Sequence, residues 1–137
     1  MPKEEVELLA QSDSMASSAC FLQAYSIISV DNPILLDRLV KKAHLQPFIQ
    51  NAGYFFVFCG GFRQHADFAQ VKDVAIQNTL EGIDAVIVGS VDASLTAQNM
   101  TLAAESLGMS VCYIGGVRDG IEAVWLLFGG ACLTLTS

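Results

Sequence analysis

Asp84-Ala85-Val86-Ile87-Val88-Gly89-Ser90-Val91-Asp92-Ala93-Ser94-Leu95-Thr96-Ala97-Gln98-Asn99-Met100-Thr101-Leu102-Ala103-Ala104-Glu105-Ser106-Leu107 runs without a proline. Gly108, Val111-Cys112-Tyr113-Ile114 and Gly115-Gly116 follow it. Residues 84–116 read as one long helix, a stop and a short buried strand. Large apolar side chains recur at Ile87/Val88, Val91, Leu95 and Leu102, the spacing of a helix face, with Gln98 interrupting the stripe. Gly89, Ala93, Ala97 and Ala104 make a second face of small residues, which lets another backbone approach closely. Gly108 stands where a C-cap glycine belongs. A helix with two apolar faces is expected to be covered on both, one of them by a second subunit. The expected dimer axis passes near Ala93, Ala97 and Met100.

The chain on either side is read by the same patterns. Residues 3–11 suit a short helix with Val6, Leu9 and Ala10 on one face, broken at Ser12-Asp13-Ser14. Ser14-Met15-Ala16-Ser17-Ser18-Ala19 is small and polar, a connector whose backbone could hug a ligand. Tyr25-Ser26-Ile27-Ile28-Ser29-Val30 reads as a strand by its β-branched and aromatic content. Asn32-Pro33 starts a helix, asparagine as cap and proline at the first helical position. Residues 46–52 read as one more short helix, closed by Gly53. Tyr54-Phe55-Phe56-Val57-Phe58-Cys59 is apolar on both faces and reads as a central, doubly covered strand. Residues 62–78 are weakly helical. Asp119 with Glu122 resembles a capping box for a helix through Trp125. Gly129-Gly130 stops that helix, and residues 131–136 read as a last strand. The expected architecture is α+β: one domain over 1–137, a mixed sheet with helices on both faces, and the long helix central.

Composition narrows the function. The 137 residues are 53% hydrophobic and 15% charged, with a mean hydropathy of +0.47. That excess suggests a large interface in addition to a core. With seven Lys+Arg and a net charge of −7, no basic patch is available for nucleic acid. Met1-Pro2-Lys3-Glu4-Glu5-Val6 lacks an apolar signal core, so the expected location is cytoplasmic. Residues 83–104 contain Asp84, Asp92, Gln98 and Asn99 and are rejected as a membrane span. Cys20, Cys59, Cys112 and Cys132 are widely spaced and expected to be buried reduced thiols.

Chemistry-bearing motifs are few. His44 and His65 have no nucleophile or acid at a recognisable spacing, and there is no GxSxG elbow. No metal-ligand spacing occurs, so no metal is expected. Gly60-Gly61, Gly115-Gly116 and Gly129-Gly130 do not make a GxGxxG. Asp92 could be a functional carboxylate, but a residue of this kind is more often hydrogen-bonded to a neighbouring loop. Asn99 and Gln98 are candidates for bonds across a helix interface.

Ser17-Ser18-Ala19-Cys20-Phe21-Leu22-Gln23, the run from Asp92 through Ala97-Gln98-Asn99 and Leu102-Ala103-Ala104-Glu105-Ser106-Leu107-Gly108, and Tyr113-Ile114-Gly115-Gly116-Val117-Arg118 together resemble the flavin-dependent nitroreductase family. Within it the chain is most similar to the oxygen-insensitive NADPH nitroreductases and NADPH–flavin oxidoreductases. The resemblance covers residues 14–124. It implies an FMN-binding homodimer that passes electrons from NAD(P)H to nitro compounds, quinones or free flavin by ping-pong hydride transfer, the flavin carrying the chemistry. By the same resemblance Ser17, Ser18, Cys20 and Leu22 line the flavin, Gln46 contacts its ring, and Ile114, Gly115 and Gly116 lie against it. No protein side chain is expected to be catalytic. The family's basic N-terminal motif and its C-terminal segment have no match in Met1–Asp13 or up to Ser137. The chain is therefore expected to be truncated at both ends and to bind the FMN phosphate weakly. The alternative expectation is a non-catalytic, flavin-poor remnant that keeps the fold and the dimer.

Overall fold

The computed structural model describes residues 2–128. Its elements are α1 (Lys3–Asp13), β1 (Tyr25–Val30), α2 (Pro33–Lys42), β2 (Phe55–Gly60), α3 (Arg63–Val71), α4 (Gln77–Leu80), α5 (Ile83–Ser106) and α6 (Ile121–Phe128). Short 3-10 turns occupy Ala19–Phe21, Pro47–Asn51 and Gly115–Gly120.

β1 and β2 pair antiparallel, Tyr25 opposite Gly60 and Val30 opposite Phe55. Alternate side chains of a strand point to opposite faces. Ile28, Val30, Phe55 and Val57 accordingly meet Leu36, Leu39, Val40 and Val124 of α2 and α6. Ile27, Phe56 and Phe58 meet Leu9, Met100 and Ala104 of α1 and α5. The α+β class and the doubly covered 55–59 strand follow from that alternation. Among the described residues the sheet is this one antiparallel pair, so β2 has a single neighbour rather than a central position.

The local signals act as their chemistry requires. Asn32 Oδ1 accepts from the N–H groups of Ile34 (2.9 Å) and Leu35 (3.3 Å), capping α2 ahead of Pro33. Lys41 and Lys42 close the same helix at its negative end. Gly108 has φ +81°, and the Met109 N–H donates to the Ala104 carbonyl at 3.0 Å. That is a glycine stop of the Schellman kind, and it ends α5.

α5 turns its small face inward. Ala85, Gly89, Asp92, Ala93, Thr96, Ala97, Met100 and Ala104 are buried. Ile87, Val91, Leu95 and Leu102 stay 52%, 48%, 42% and 55% exposed. The expected axis at Ala93, Ala97 and Met100 is therefore overturned. Those residues are buried within the protomer, Met100 with Ala104 against the hairpin. The closest point is Gly60 over Gly89, where a Cβ on Gly60 would stand 2.6 Å from the Gly89 carbonyl carbon.

Three further expectations change. Residues 111–114 form no strand among the described residues. They are laid along α5 by a side chain instead: Thr101 Oγ1 donates to the Tyr113 hydroxyl at 3.0 Å, and that hydroxyl approaches Gln98 Oε1 at 3.4 Å. Asp119 does not cap α6, which begins at Ile121. The chain reaches that helix through Gly120, so close to Ala43 that a Cβ would lie 2.4 Å from its Cα. Cys20 and Cys112 are exposed free thiols, not buried ones, because both sit on surface segments; Cys59 is buried at the end of β2 as expected, but it is disulfide-bonded and not a reduced thiol. The glycine stop at 129–130, the strand at 131–136 and Cys132 lie outside the described residues. No described helix is long and apolar enough to cross a membrane.

Candidate functional site

Among the described residues Asp92 is the one carboxylate in the core, 0% exposed on the inner face of α5. Its Oδ2 accepts from Ser18 Oγ at 2.9 Å and from the Ala24 N–H at 3.1 Å, and its Oδ1 accepts from the Ala19 N–H at 3.0 Å. Ser18 Oγ in turn accepts from the Gln23 N–H at 2.7 Å. The loop-bound reading of Asp92 is thus borne out. Asn99 does likewise across helices, its Nδ2 donating to the Ser12 carbonyl of α1.

The tethered loop is conformationally costly. Cys20, Phe21 and Gln23 have φ of 50°, 59° and 50°. Side chains with a Cβ enter that left-handed region at about 1–2 kcal/mol each. Hydrogen bonds to a charged group contribute roughly 1.5–3 kcal/mol each, so the bonds to Asp92 are of the right size to offset the strain. The loop faces outward at Phe21, which is 93% exposed, and inward at Leu22, which packs on Ala24, Phe62, Leu80 and Ala85. Ala24 is fixed from both sides, because its carbonyl also accepts from the Gly61 N–H at 2.9 Å.

Burial pushes the Asp92 carboxyl up, but the N–H groups of Ala19 and Ala24 and the Ser18 hydroxyl outweigh it and hold the group below its ordinary range. Asp92 is therefore an ionised acceptor at neutral pH. Fully buried and bonded to the 18–24 loop, it suits holding that loop rather than exchanging protons with a ligand.

The remaining candidates form a second group. Ile114 packs into the α2–α6 core together with Leu45 and Ile49. A Cβ on Gly116 would meet Leu45 Cδ2 at 3.7 Å, which puts Gly116 beside the neighbour of Gln46. Gly115 has open space where a Cβ would stand, and Gln46 is exposed. Among the described residues no hydrogen bond joins this group to Ser17, Ser18, Cys20 and Leu22. A cavity of about 1100 Å³ runs along residues 109–114 between β2 and α5. Of the eight candidates only Ile114 lines it.

Sequence reasoning missed the left-handed backbone at Cys20, Phe21 and Gln23. None is glycine or asparagine, so composition carries no signal for it. The signal that existed was Asp92 itself, an ionisable residue alone on a face of alanines. No group of three His, Cys, Asp or Glu side chains among the described residues could hold a metal ion.

A family model described as Nitroreductase family matches residues 1–129. The FMN reductase (NADPH) of Bacillus subtilis (strain 168) is 41% identical over 121 residues, 88% of this chain and 49% of that protein. The NfrA1 nitroreductase from B. subtilis superposes with a TM-score of 0.90 at 39% identity, covering 94% of this chain and 52% of that one. The NADPH:FMN oxidoreductase from Vibrio harveyi, solved in complex with NAD+, superposes with a TM-score of 0.82 at 31% identity, covering 94% and 54%. The chain spans about half the length of the curated relatives it matches.

Proposed function

We propose, for a chain that belongs to the nitroreductase family, that it binds FMN and serves NAD(P)H-dependent reduction of nitro compounds, quinones or free flavin. The observation that carries this reading is the strained loop from Ser18 to Ala24, tied at both ends to Asp92. Strained non-glycine backbone persists only where the surroundings over-determine it, and such places are enriched at ligand sites. The names of the relatives, FMN reductase (NADPH) among them, support the same class of chemistry.

The residues present fit a flavin in kind. Ser17 offers hydroxyl and backbone groups, Ser18, whose hydroxyl proton goes to Asp92, its backbone, and Leu22 an apolar contact. Gly115, with no Cβ and open space beside it, lets a flat ring approach the backbone. Cys20, Gln46, Ile114 and Gly116 complete the proposed contacts. Flavin, when bound, supplies reversible hydride transfer; the chain binds and orients it and contributes no acid, base or nucleophile of its own.

The second part of the proposal is a homodimer formed by the outward face of α5. Ile87, Val91, Leu95 and Leu102 would otherwise leave an apolar stripe, interrupted at Gln98, in water. A two-fold axis lets one such stripe meet its own copy.

Titration with FMN and with riboflavin, followed by quenching of flavin fluorescence, tests the flavin reading. Residues 14–24 contain no lysine or arginine, so this loop offers the phosphate no charged donor. Each charge-assisted bond forgone is worth roughly 1.5–3 kcal/mol, about tenfold to a hundredfold in affinity. The expected result is binding of both flavins within about tenfold of each other. A colourless protein that quenches neither flavin refutes the reading, and tight binding selective for FMN refutes the phosphate argument.

A further inference from the structure

We infer that Asp92 is a positioning residue for the flavin loop: its carboxylate, itself fully buried, holds the backbone of residues 18–24 in the binding shape. The inference rests on the flavin reading above and deepens it. Ala19 and Ala24 bracket the loop, and both donate their N–H to the same carboxylate, at 3.0 and 3.1 Å. Ser18 relays a further bond, donating to Asp92 and accepting from Gln23. The three left-handed residues, Cys20, Phe21 and Gln23, all lie inside that bracket. A loop in water has no reason to keep this shape, since each of these residues prefers negative φ. Asp92 is also rigidly placed, one turn from Gly89, where α5 touches the end of β2. The carboxylate therefore transmits the position of α5 to the loop.

The inference separates two roles that the sequence leaves merged. Ser18 has its hydroxyl proton committed to Asp92, so it shapes the loop before it can serve a ligand. Asp92 contributes affinity only through preorganisation, by sparing the ligand the ordering of seven residues, 18–24.

The test uses the full chain with Asp92→Asn and Ser18→Ala, and reads two quantities. One is amide hydrogen exchange of peptides covering 18–24 and 93–104 without flavin. The other is the dissociation constant for FMN and for riboflavin. Asp92→Asn replaces an oxygen by a donor facing donors. It is expected to speed exchange in 18–24 at least tenfold, leave 93–104 unchanged, and raise both dissociation constants at least tenfold. Ser18→Ala removes two bonds, the one to Asp92 and the one from the Gln23 N–H, but leaves the carboxylate on Ala19 and Ala24, so it gives a smaller change in both readouts; it carries the test if Asp92→Asn does not fold. Faster loop exchange with flavin affinity within twofold of the parent overturns the inference, leaving Asp92 a purely structural residue. Unchanged loop exchange overturns it as well. A parent chain that binds neither flavin overturns both the inference and the reading it rests on, whereas a flavin-binding parent with unaltered variants overturns the inference alone.

Discussion

Gly60→Ala and Gly89→Ala exchange the same atoms at one contact and should behave differently. A Cβ on Gly60 would lie 2.6 Å from both the carbonyl carbon and the oxygen of Gly89, and 3.2 Å from its Cα. All three are backbone atoms of a helix and cannot swing aside, so β2 must lift from α5. A Cβ on Gly89 would meet the Gly61 nitrogen at 3.3 Å and the Gly60 carbonyl carbon at 3.4 Å, which a shift of a few tenths of an ångström relieves. Overpacking typically costs 1–3 kcal/mol, and the backbone overlap puts Gly60→Ala at about 2–3 kcal/mol. Gly89→Ala regains about 0.8–1 kcal/mol of helix propensity and should come out near neutral. For a domain of this size each kcal/mol moves the thermal midpoint by roughly 3–5 °C. Thermal unfolding followed by circular dichroism is therefore expected to place Gly60→Ala about 6–15 °C below the parent, with Gly89→Ala within about 3 °C of it. Equal midpoints for the two variants, or a Gly60→Ala midpoint at the parent value, would refute the close approach of β2 to α5.

The depressed carboxyl of Asp92 stabilises the fold above its ordinary value of 3.8, and that contribution is lost as pH falls through the lower folded value. Urea midpoints of the parent should hold down to about pH 4 and drop below it, while Asp92→Ala is expected to lose about 2–5 kcal/mol at pH 7 and show a flatter acid limb. Parallel acid limbs for the two proteins would remove Asp92 from that account. On α5, Leu95→Glu should dissociate the proposed dimer with the protomer still folded, whereas Ala97→Glu buries an unpaired charge and should unfold it. Sedimentation equilibrium with circular dichroism reads both, and a Leu95→Glu variant that stays dimeric rejects the outward face. If flavin carries the chemistry, His44→Ala and His65→Ala should each keep NADPH oxidation within about twofold, provided circular dichroism shows them folded. A hundredfold loss in either would put a histidine in the reaction.

Much of the fold was legible because its signals are local. Asn32-Pro33 and Gly108 mark helix ends through bonds made within a few residues. Phe55 to Cys59 shows its double burial in its own apolar run. What the residues could not show was which face of α5 turns inward, because both faces are apolar. The choice follows from Gly60, whose lack of a Cβ lets β2 rest on the α5 backbone at Gly89, and that is a contact between positions 29 apart in sequence. The strand expected at 111–114 failed for a similar reason. Apolar content says that a segment suits a sheet, not that a partner edge lies beside it. At the candidate site the residue types were readable from the resemblance. The left-handed backbone of Cys20, Phe21 and Gln23 was not, because it is imposed by a carboxylate far along the chain.

That distance has a consequence during synthesis. Asp92 bonds to partners 68, 73 and 74 residues earlier in sequence. At about 5–20 residues per second, the segment 18–24 waits roughly 4–15 s after translation before its anchor exists. Through that interval nothing holds Cys20, Phe21 and Gln23 in left-handed backbone, and Phe21 is free to join any apolar surface nearby. The shape of the loop is therefore acquired when α5 seats on the hairpin, not when the loop itself leaves the ribosome.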